Sequence, residues 1–186
     1  MGAVTTVQQR GAPFTRAELD ALPDDGRRHE LIDGALVVTP APRVSHQLVV
    51  GELHLLLRQA CPAGLYVVLS PFDVALSDDT VLEPDLLVAR KQNFTERDLP
   101  AAPLLAIEVV SPSTRRIDAT LKRARLEAAG CPSYWLVDPG VPSVLALELV
   151  EGAYVEAAHV AGEQTWRATK PFPVAVRPSA LTAPLR

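Results

Sequence analysis

Two carboxylates on neighbouring apolar segments are the residues of this sequence best suited to chemistry. Asp85 lies in the string EPDLLVAR, and Glu108 lies in the string LLAIEVV further along the chain. The alternation of a strand predicts that Glu108 points to the side opposite Ile107 and Val109. Burying a carboxylate is costly unless something pairs with it, and two neighbouring carboxylates repel each other. A Mg²⁺ ion held by Asp85 and Glu108 would resolve both problems.

Each carboxylate taken alone also has a structural interpretation. It can form an ion pair with a buried arginine, or it can lie on an exposed strand face, and for a single carboxylate this is the better interpretation. The two acids together, followed by a basic helix, favour the metal-binding interpretation.

The basic helix is predicted over residues 114–129, directly after the string SPST. A Ser or Thr of that string is expected to cap it, and its N-terminal amides would favour a phosphate group. Its spacing places Asp118, Lys122 and Leu126 on one face, so we expect Lys122 to reach back toward Glu108. A solvated basic surface is the alternative, and it accounts for some of the arginines of this stretch, Arg115, Arg116, Arg123 and Arg125.

The remaining elements predict a mixed α/β fold in a single domain. Thr15 and Glu18 form a capping box before a short helix, and Asp33-Gly34 is a hairpin turn pair. A helix with one apolar side is predicted over residues 43–60, and Trp135 is expected in the core. Further extended segments are LYVVLSPFDVAL, VLEPDLLVAR, PLLAIEVV, SYWLVDP, a hairpin turning at Glu151-Gly152, and PFPVAVRP. We divide the chain into a flexible arm (1–14), one domain (15–177) and a tail (178–186).

The composition excludes several classes of protein. The chain has 186 residues with 48% hydrophobic and 22% charged residues, as is ordinary for a globular domain. Neither a signal peptide nor an apolar run of membrane-spanning length is found, and two unpaired cysteines predict the cytoplasm. The net charge of −4 opposes strong non-specific DNA binding but permits local basic patches. The serine-hydrolase elbow GxSxG and phosphate-loop glycine motifs are both absent.

Several motifs occur together in one order: ELIDG, a histidine (His46) opening a helix, Pro84-Asp85, IEVVSPST, the Asp118/Lys122 pair and YWLVDP. In this combination the sequence resembles the Uma-type family of putative restriction endonucleases, within the PD-(D/E)XK nuclease superfamily. The resemblance covers nearly the whole chain. It implies a restriction-endonuclease-like core, in which a central mixed sheet is flanked by helices and acidic residues on adjacent strands hold Mg²⁺ or Mn²⁺.

The resemblance also implies roles for individual residues. Asp85 and Glu108 match the two acidic metal ligands, and the Val109 carbonyl is a further ligand by the same analogy. Glu30 matches an additional acidic residue, which would hold a second metal or brace the lysine. The superfamily lysine would stand at Val110, so the lysine of the following helix, Lys122, is expected to replace it. Leu126 stands where the family commonly has tyrosine.

The function implied is hydrolysis of phosphodiester bonds in DNA by a metal-dependent endonuclease with Asp85, Glu108, Lys122 and Glu30 as catalytic residues. DNA contacts are expected from Ser113, Arg115 and Arg116, and cutting both strands suggests a homodimer without membrane association. One alternative is an inactive nuclease-fold module that binds nucleic acid or protein, and another is an interaction protein unrelated to nucleic acid. His46 either lines the cleft or is a hydrogen-bonded structural histidine.

Overall fold

Runs of strands are interspersed with helices along the chain, which confirms the predicted mixed α/β class. A computed structural model describes residues 5–9, 11–23 and 25–183. The strands form two six-stranded sheets and one two-stranded ribbon. Both large sheets are mixed, since each combines antiparallel pairs with one parallel pair, β5–β8 in the first sheet and β9–β10 in the second. Within the described residues the strands are β1 (Thr6–Gln8), β2 (Arg28–Ile32), β3 (Ala35–Thr39), β4 (Leu65–Leu69), β5 (Asp73–Ser77), β6 (Thr80–Leu82), β7 (Leu86–Arg90), β8 (Asp98–Leu99), β9 (Leu105–Val109), β10 (Ser133–Asp138), β11 (Ser143–Val150), β12 (Ala153–Ala161), β13 (Trp166–Ala168) and β14 (Val174–Val176).

Strand order shows how the chain passes between the two sheets. The first sheet has the order β1-β3-β2-β6-β5-β8, and the second has the order β12-β11-β10-β9-β7-β4. The string VLEPDLLVAR, predicted as one extended segment, contributes β6 to the first sheet and β7 to the second. The break lies at residues 83–85, because Pro84 lacks the N–H that a continuous strand would need. These three residues therefore join the two layers.

The helices are few, and one of them is irregular. The predicted helix over residues 114–129 forms, but it contains a π-helical turn between two α-helical parts. No helix within the described ranges has the length and apolar character to span a bilayer. The helical segments are α1 (Arg16–Asp20), α2 (Val44–Ala60), a 3₁₀ turn (Lys91–Asn93), α3 (Arg115–Ile117), the π-helical turn (Asp118–Lys122), α4 (Arg123–Ala128) and α5 (Pro178–Leu181).

The predicted local signals have the expected geometry. Thr15 and Glu18 form both bonds of a capping box at α1. Asp33 and Gly34 turn the β2–β3 hairpin with φ values of 53° and 72°. At Gly34 a Cβ atom would lie 2.3 Å from the Cβ of Pro13, so this turn requires glycine for close approach as well as for φ. The hairpin at Glu151-Gly152 is confirmed by the β11–β12 pairing.

The largest core cluster lies between α2 and one face of the second sheet. From α2 it includes Val49, Leu53 and Leu57, which are buried at helical spacing. Trp135 of β10 is fully buried in the same cluster, as predicted. Ile107 and Val109 of β9 also belong to it, and Glu108 therefore points away from α2. The opposite face of β9 is where the charged residues gather.

Regular structure also lies in the segments assigned to an arm and a tail. Strand β1 pairs with β3 in an antiparallel register, and α5 buries Leu181. Sequence analysis did not predict either element, because three- and four-residue segments contain too little periodicity to be recognised. Residues 1–4 and 10 of the arm and 184–186 of the tail lie outside the described residues. The boundaries at residues 14 and 177 stay a prediction.

Candidate active site

Three acidic residues from different elements meet where the two sheets are joined. Glu30 lies on β2 of the first sheet, and Glu108 lies on β9 of the second. Asp85 is the last residue of the connection between β6 and β7. All three are buried. The site is thus built from both layers, and neither sheet alone contains it.

The pairing of β7 with β9 accounts for the proximity of Asp85 to Glu108. The two strands are antiparallel neighbours with Leu86 opposite Ile107. Continuing that register by one residue brings Asp85 opposite Glu108. The backbone N–H of Val109 donates a hydrogen bond to Asp85 Oδ2 at 2.8 Å, which fixes the carboxylate against β9.

Lys122 comes from the π-helical turn and lies among the acids. Its Nζ is 2.7 Å from Glu30 Oε1, 2.9 Å from Glu108 Oε1 and 3.7 Å from Asp118 Oδ1. The residue is 1% exposed. Lys122 and Asp118 share a buried face with Leu126, as their spacing predicted. A π-helical turn is frequently found at functional sites, and this one carries both charged residues inward.

Asp85 is held from the opposite side by two residues nearer to solvent. Arg28 Nη1 donates to Asp85 Oδ1 at 2.9 Å, and His46 Nε2 lies 3.0 Å from Asp85 Oδ2. His46 lies in the first turn of α2, and its contact with Asp85 makes it a hydrogen-bonded histidine that also lines the site. Arg28 additionally lies 3.6 Å from Glu30 Oε2 through Nη2.

These groups form one buried network, which we call the inner cluster. Its members are Arg28, Glu30, His46, Glu83, Asp85, Glu108, Asp118 and Lys122. Five of them are acids, whereas only Arg28 and Lys122 are permanent cations. Within the described part of the chain no hydrogen bond reaches Oε2 of Glu30, Oε2 of Glu83 or Oδ1 of Asp118. Acidic groups therefore outnumber permanent cations in a region shielded from water.

The surplus of acids shifts the pKa values of the cluster. Burial raises the pKa of Glu108 well above its ordinary value, although Lys122 opposes the shift. Burial and the neighbouring Glu30 raise the pKa of Glu83 to about 7. At Asp85 burial acts in the same direction, but the hydrogen bond from His46 and the charge of Arg28 outweigh it and hold the pKa of Asp85 below its usual range.

The cationic partners respond in the complementary way. Burial by itself would lower the pKa of Lys122, but Glu108 and Glu30 outweigh it and raise that pKa above its ordinary value. Burial likewise opposes the charge of Arg28, whereas Glu30 and Asp85 raise its pKa. Both side chains thus stay charged at neutral pH, and Lys122 can act as a fixed positive charge.

The donor chemistry of the inner cluster suits a divalent metal ion. Carboxylate oxygens are the ligands that Mg²⁺ and Mn²⁺ prefer, and the surplus of acidic groups together with three oxygens lacking hydrogen bonds favours a cation. The present arrangement of side chains is not a finished metal site. No three His, Cys, Asp or Glu residues of the described ranges converge as ligands. Arg28 and His46 occupy the oxygens of Asp85 instead.

The residues predicted to contact DNA lie at the surface beside the cluster rather than in it. Ser113, Arg115 and Arg116 are exposed, and Arg115 forms an ion pair with Asp138. Of the Ser and Thr residues expected to cap this helix, Thr114 makes no side-chain cap hydrogen bond, and its φ of −110° and ψ of −20° lie in the helical region. Ser111 of the same string takes this role in the preceding turn: its Oγ accepts from the Thr114 N–H at 3.3 Å, and its own N–H donates to Thr114 Oγ1.

Sequence analysis missed three members of the site region. Arg28 was not singled out, although it lies two residues before Glu30 on the same strand and so faces the same side. Glu83 directly precedes the Pro84-Asp85 pair. Tyr134 donates its hydroxyl to the Asp118 carbonyl at 3.0 Å and supports the π-helical turn from β10. Only Arg28 had a usable signal, the period of two along β2.

A match to a protein-family model identifies the family of this chain. The model of the Uma2 family, described as "Putative restriction endonuclease", matches residues 16–183. The chain belongs to the Uma2 family. The match includes Glu30, Asp85, Glu108 and Lys122, so the whole inner cluster lies inside the region that the family shares.

A solved structure has the same fold. The crystal structure of a putative nuclease belonging to DUF820 from Anabaena variabilis superposes with a TM-score of 0.73. At 19% sequence identity, the alignment covers 94% of this Uma2-family chain and 100% of the other. Among curated proteins, none matches the chain. The fold likeness supports the predicted nuclease-like architecture.

Proposed function

We propose that this Uma2-family protein is a metal-dependent endonuclease that hydrolyses phosphodiester bonds in DNA. The observation that carries the proposal is the position of Lys122, whose ammonium group contacts Glu30 at 2.7 Å and Glu108 at 2.9 Å close to Asp85. A buried lysine among surplus carboxylates resembles a reaction centre more than a stabilising core, because such burial is costly.

Asp85, Glu108 and the Val109 carbonyl would hold Mg²⁺ or Mn²⁺. The hydrogen bond from the Val109 N–H to Asp85 supports this choice, since it brings the β9 backbone next to the carboxylate. A divalent ion, when bound, supplies Lewis acidity toward the phosphate and lowers the pKa of water. This role suits Asp85 especially, because its low pKa keeps it ionised at neutral pH.

Lys122 would stabilise the negative charge that develops on the phosphate. Its raised pKa keeps the ammonium group protonated. Glu30 acts as a positioning residue, because its Oε1 contacts Lys122 Nζ and also accepts the Glu83 N–H at 2.7 Å. These two bonds fix the lysine relative to the connection between the sheets. Such preorganisation of a charge is a main source of catalytic power.

The surface around the site would carry the DNA. Ser113, Arg115 and Arg116 lie exposed where the π-containing helix begins, and the arginines can contact phosphates. Cutting both strands would require two copies of the site, so we include a homodimer in the proposal. The cytoplasmic location also stays a prediction.

A non-catalytic nuclease-fold module is the second candidate, and one observation favours it. Both oxygens of Asp85 are already bonded to protein groups, to Arg28 at Oδ1 and to His46 and Val109 at Oδ2. A purely structural ion network would look the same. This candidate binds nucleic acid or protein without turnover and gains nothing from a divalent ion.

Cleavage assays on supercoiled, linear and single-stranded DNA with Mg²⁺ or Mn²⁺ test the proposal. We expect cleavage by the wild type and a loss of about 100-fold or more in Asp85→Asn, Glu108→Gln and Lys122→Ala. Arg97→Ala is the matched control, because Arg97 forms its ion pair with Asp20 outside the inner cluster. Circular dichroism of every variant checks the fold.

Two outcomes would contradict the proposal. Cleavage that persists in folded Glu108→Gln would place the reaction elsewhere or identify a contaminant. Absence of cleavage in the wild type, together with DNA binding that is independent of divalent ions, would instead support the non-catalytic module.

A further inference from the structure

Arg28 contacts a carboxylate that the proposed metal ion would also need. Its Nη1 donates to Asp85 Oδ1 at 2.9 Å, and its Nη2 lies 3.6 Å from Glu30 Oε2. The guanidinium therefore partly neutralises Asp85, one of the two carboxylates proposed to hold the metal ion. A guanidinium in contact with Asp85 and a divalent ion bound to the same carboxylate repel each other, so each weakens the binding of the other. Metal binding at Asp85 Oδ1 is therefore expected to favour release of Arg28 from that oxygen.

Arg28 and His46 also form the solvent-facing side of the inner cluster. The side chains of Arg28 and His46 are 19% and 16% exposed, whereas those of Glu108 and Lys122 are each 1% exposed. Among the residues that the structure describes in the cluster, these two separate Asp85 from bulk water.

The attachment of Arg28 allows its head group to move while its stem stays in place. Arg28 Nε donates to Thr39 Oγ1 at 3.2 Å across the β2–β3 hairpin. This bond holds the base of the guanidinium against β3, where Arg28 pairs with Thr39 in the strand register. We expect the Nη groups to turn from Asp85 toward solvent while the Nε anchor is kept, since Arg has N–H donors to spare for a new partner.

We propose that Arg28 is an exchangeable ligand: it pairs with Asp85 until a divalent ion replaces it, and it then binds the substrate phosphate at the mouth of the site. A guanidinium suits both partners, because its planar fork matches carboxylates and phosphates equally. The inference rests on the proposed metal-dependent function. It adds a phosphate-binding residue that is already positioned beside the metal ligands.

Two binding measurements on the full chain test the exchange. Mn²⁺ binding is followed by electron paramagnetic resonance of the free ion, and binding of a fluorescent DNA duplex is followed by anisotropy in Ca²⁺. In Arg28→Ala we expect about tenfold tighter Mn²⁺ binding, because the competing charge is gone, and about tenfold weaker DNA binding, because a phosphate contact is lost. Arg97→Ala should change neither value.

A second variant keeps the test decisive if Arg28→Ala does not fold. Arg28→Gln retains hydrogen-bonding groups toward Thr39 and Asp85 but carries no charge, so the same two changes are expected in it. Mn²⁺ affinity that is unchanged or weaker in the folded variant overturns the exchange. Tighter Mn²⁺ binding with unchanged DNA affinity overturns the phosphate role. A wild type that binds no Mn²⁺ contradicts the proposed function itself and thereby this inference.

Discussion

The inner cluster and a second charged group near α1 differ in how their charges are paired. In the inner cluster Lys122 contacts three carboxylates, and acids outnumber permanent cations by five to two. The second group, which we call the outer cluster, joins α1 to β5 and β8. Its members are Arg16, Asp20, Asp73, Arg97 and Asp98.

The outer cluster pairs two of its three acids with arginines and leaves one of those arginines largely open to water. Arg16 pairs with Asp98, and Arg97 pairs with Asp20. The Arg97 side chain is 58% exposed. Asp98 also accepts a hydrogen bond from Thr95 Oγ1 at 2.6 Å, which together with Arg16 helps to hold its pKa below the ordinary value. This arrangement holds α1 against the first sheet and leaves only a small excess of acidic over basic groups.

This difference distinguishes a candidate functional site, the inner cluster, from a structural ion-pair network, the outer cluster. Both clusters join separate elements, but the inner one is more deeply buried and has the larger excess of acids over permanent cations, five to two against three to two. Burial of unbalanced charge lowers stability, and the surrounding fold has to compensate for it. An arrangement of that kind is expected where a positively charged ligand completes it, whereas paired surface charges need no ligand.

Removing Lys122 should have the largest effect on stability, and it tests the difference between the two clusters most directly. Lys122→Met leaves Glu30 and Glu108 buried without their cation, so we expect the free energy of unfolding to fall by about 3–5 kcal/mol. Urea denaturation at pH 7 in EDTA measures the change. A loss below about 1 kcal/mol would mean that the inner cluster is solvated like the outer one.

The stability of the two clusters should depend on pH in opposite directions, with effects of intermediate size. The pKa of Glu83 is raised to about 7 from 4.5, so the folded state binds its proton more tightly and stability falls as pH rises through this range. Glu83→Gln should therefore unfold less easily than the wild type at pH 8, by about 2–3 kcal/mol, and differ little at pH 4.5. Thermal denaturation in EDTA at both pH values measures this.

Asp98 supplies the matched outer carboxylate. Its pKa is lowered, so its contribution to stability is present above the unfolded-state pKa and is lost as pH falls through the folded-state pKa. Asp98→Asn should accordingly be less stable than the wild type at pH 8. If both amide variants moved in the same direction at pH 8, the distinction between the clusters would be wrong.

The smallest effect is expected in the outer cluster. Arg97→Ala removes an ion pair whose arginine is largely exposed, so we expect a loss of about 0.2–1 kcal/mol in the free energy of unfolding. Addition of 1 M salt should remove most of that difference by screening. A larger loss that persists in salt would show that Arg97 stabilises the fold through packing.

Much of the site could be predicted because its residues lie in sequence segments whose local pattern is recognisable. The alternation around Glu108 indicated which side it faces, and the spacing of Asp118 and Lys122 indicated one helix face. The helices and hairpins followed from capping and turn residues. Glu30 was identified only through the family resemblance, because the residue pattern alone indicated no role for it.

The remaining features depend on long-range packing that no local pattern records. The assignment of β6 and β7 to different sheets arises from the tertiary position of residues 83–85. The ion pair between Arg28 and Asp85 joins residues 57 positions apart. The division into two six-stranded sheets likewise follows from strand pairing across the whole chain.

The π-helical turn at Asp118–Lys122 has a consequence for how relatives should be aligned and engineered. A π-helical turn closes its hydrogen bonds over one more residue than an α-helical turn, so it amounts to a one-residue insertion accommodated within the helix. Deleting a single residue there would restore a regular helix, but Lys122 and Leu126 could then not both keep their inward directions. The number of residues between β9 and Leu126 therefore has to be kept if Lys122 is to point into the site. An alignment gap within this helix would indicate that the site is lost.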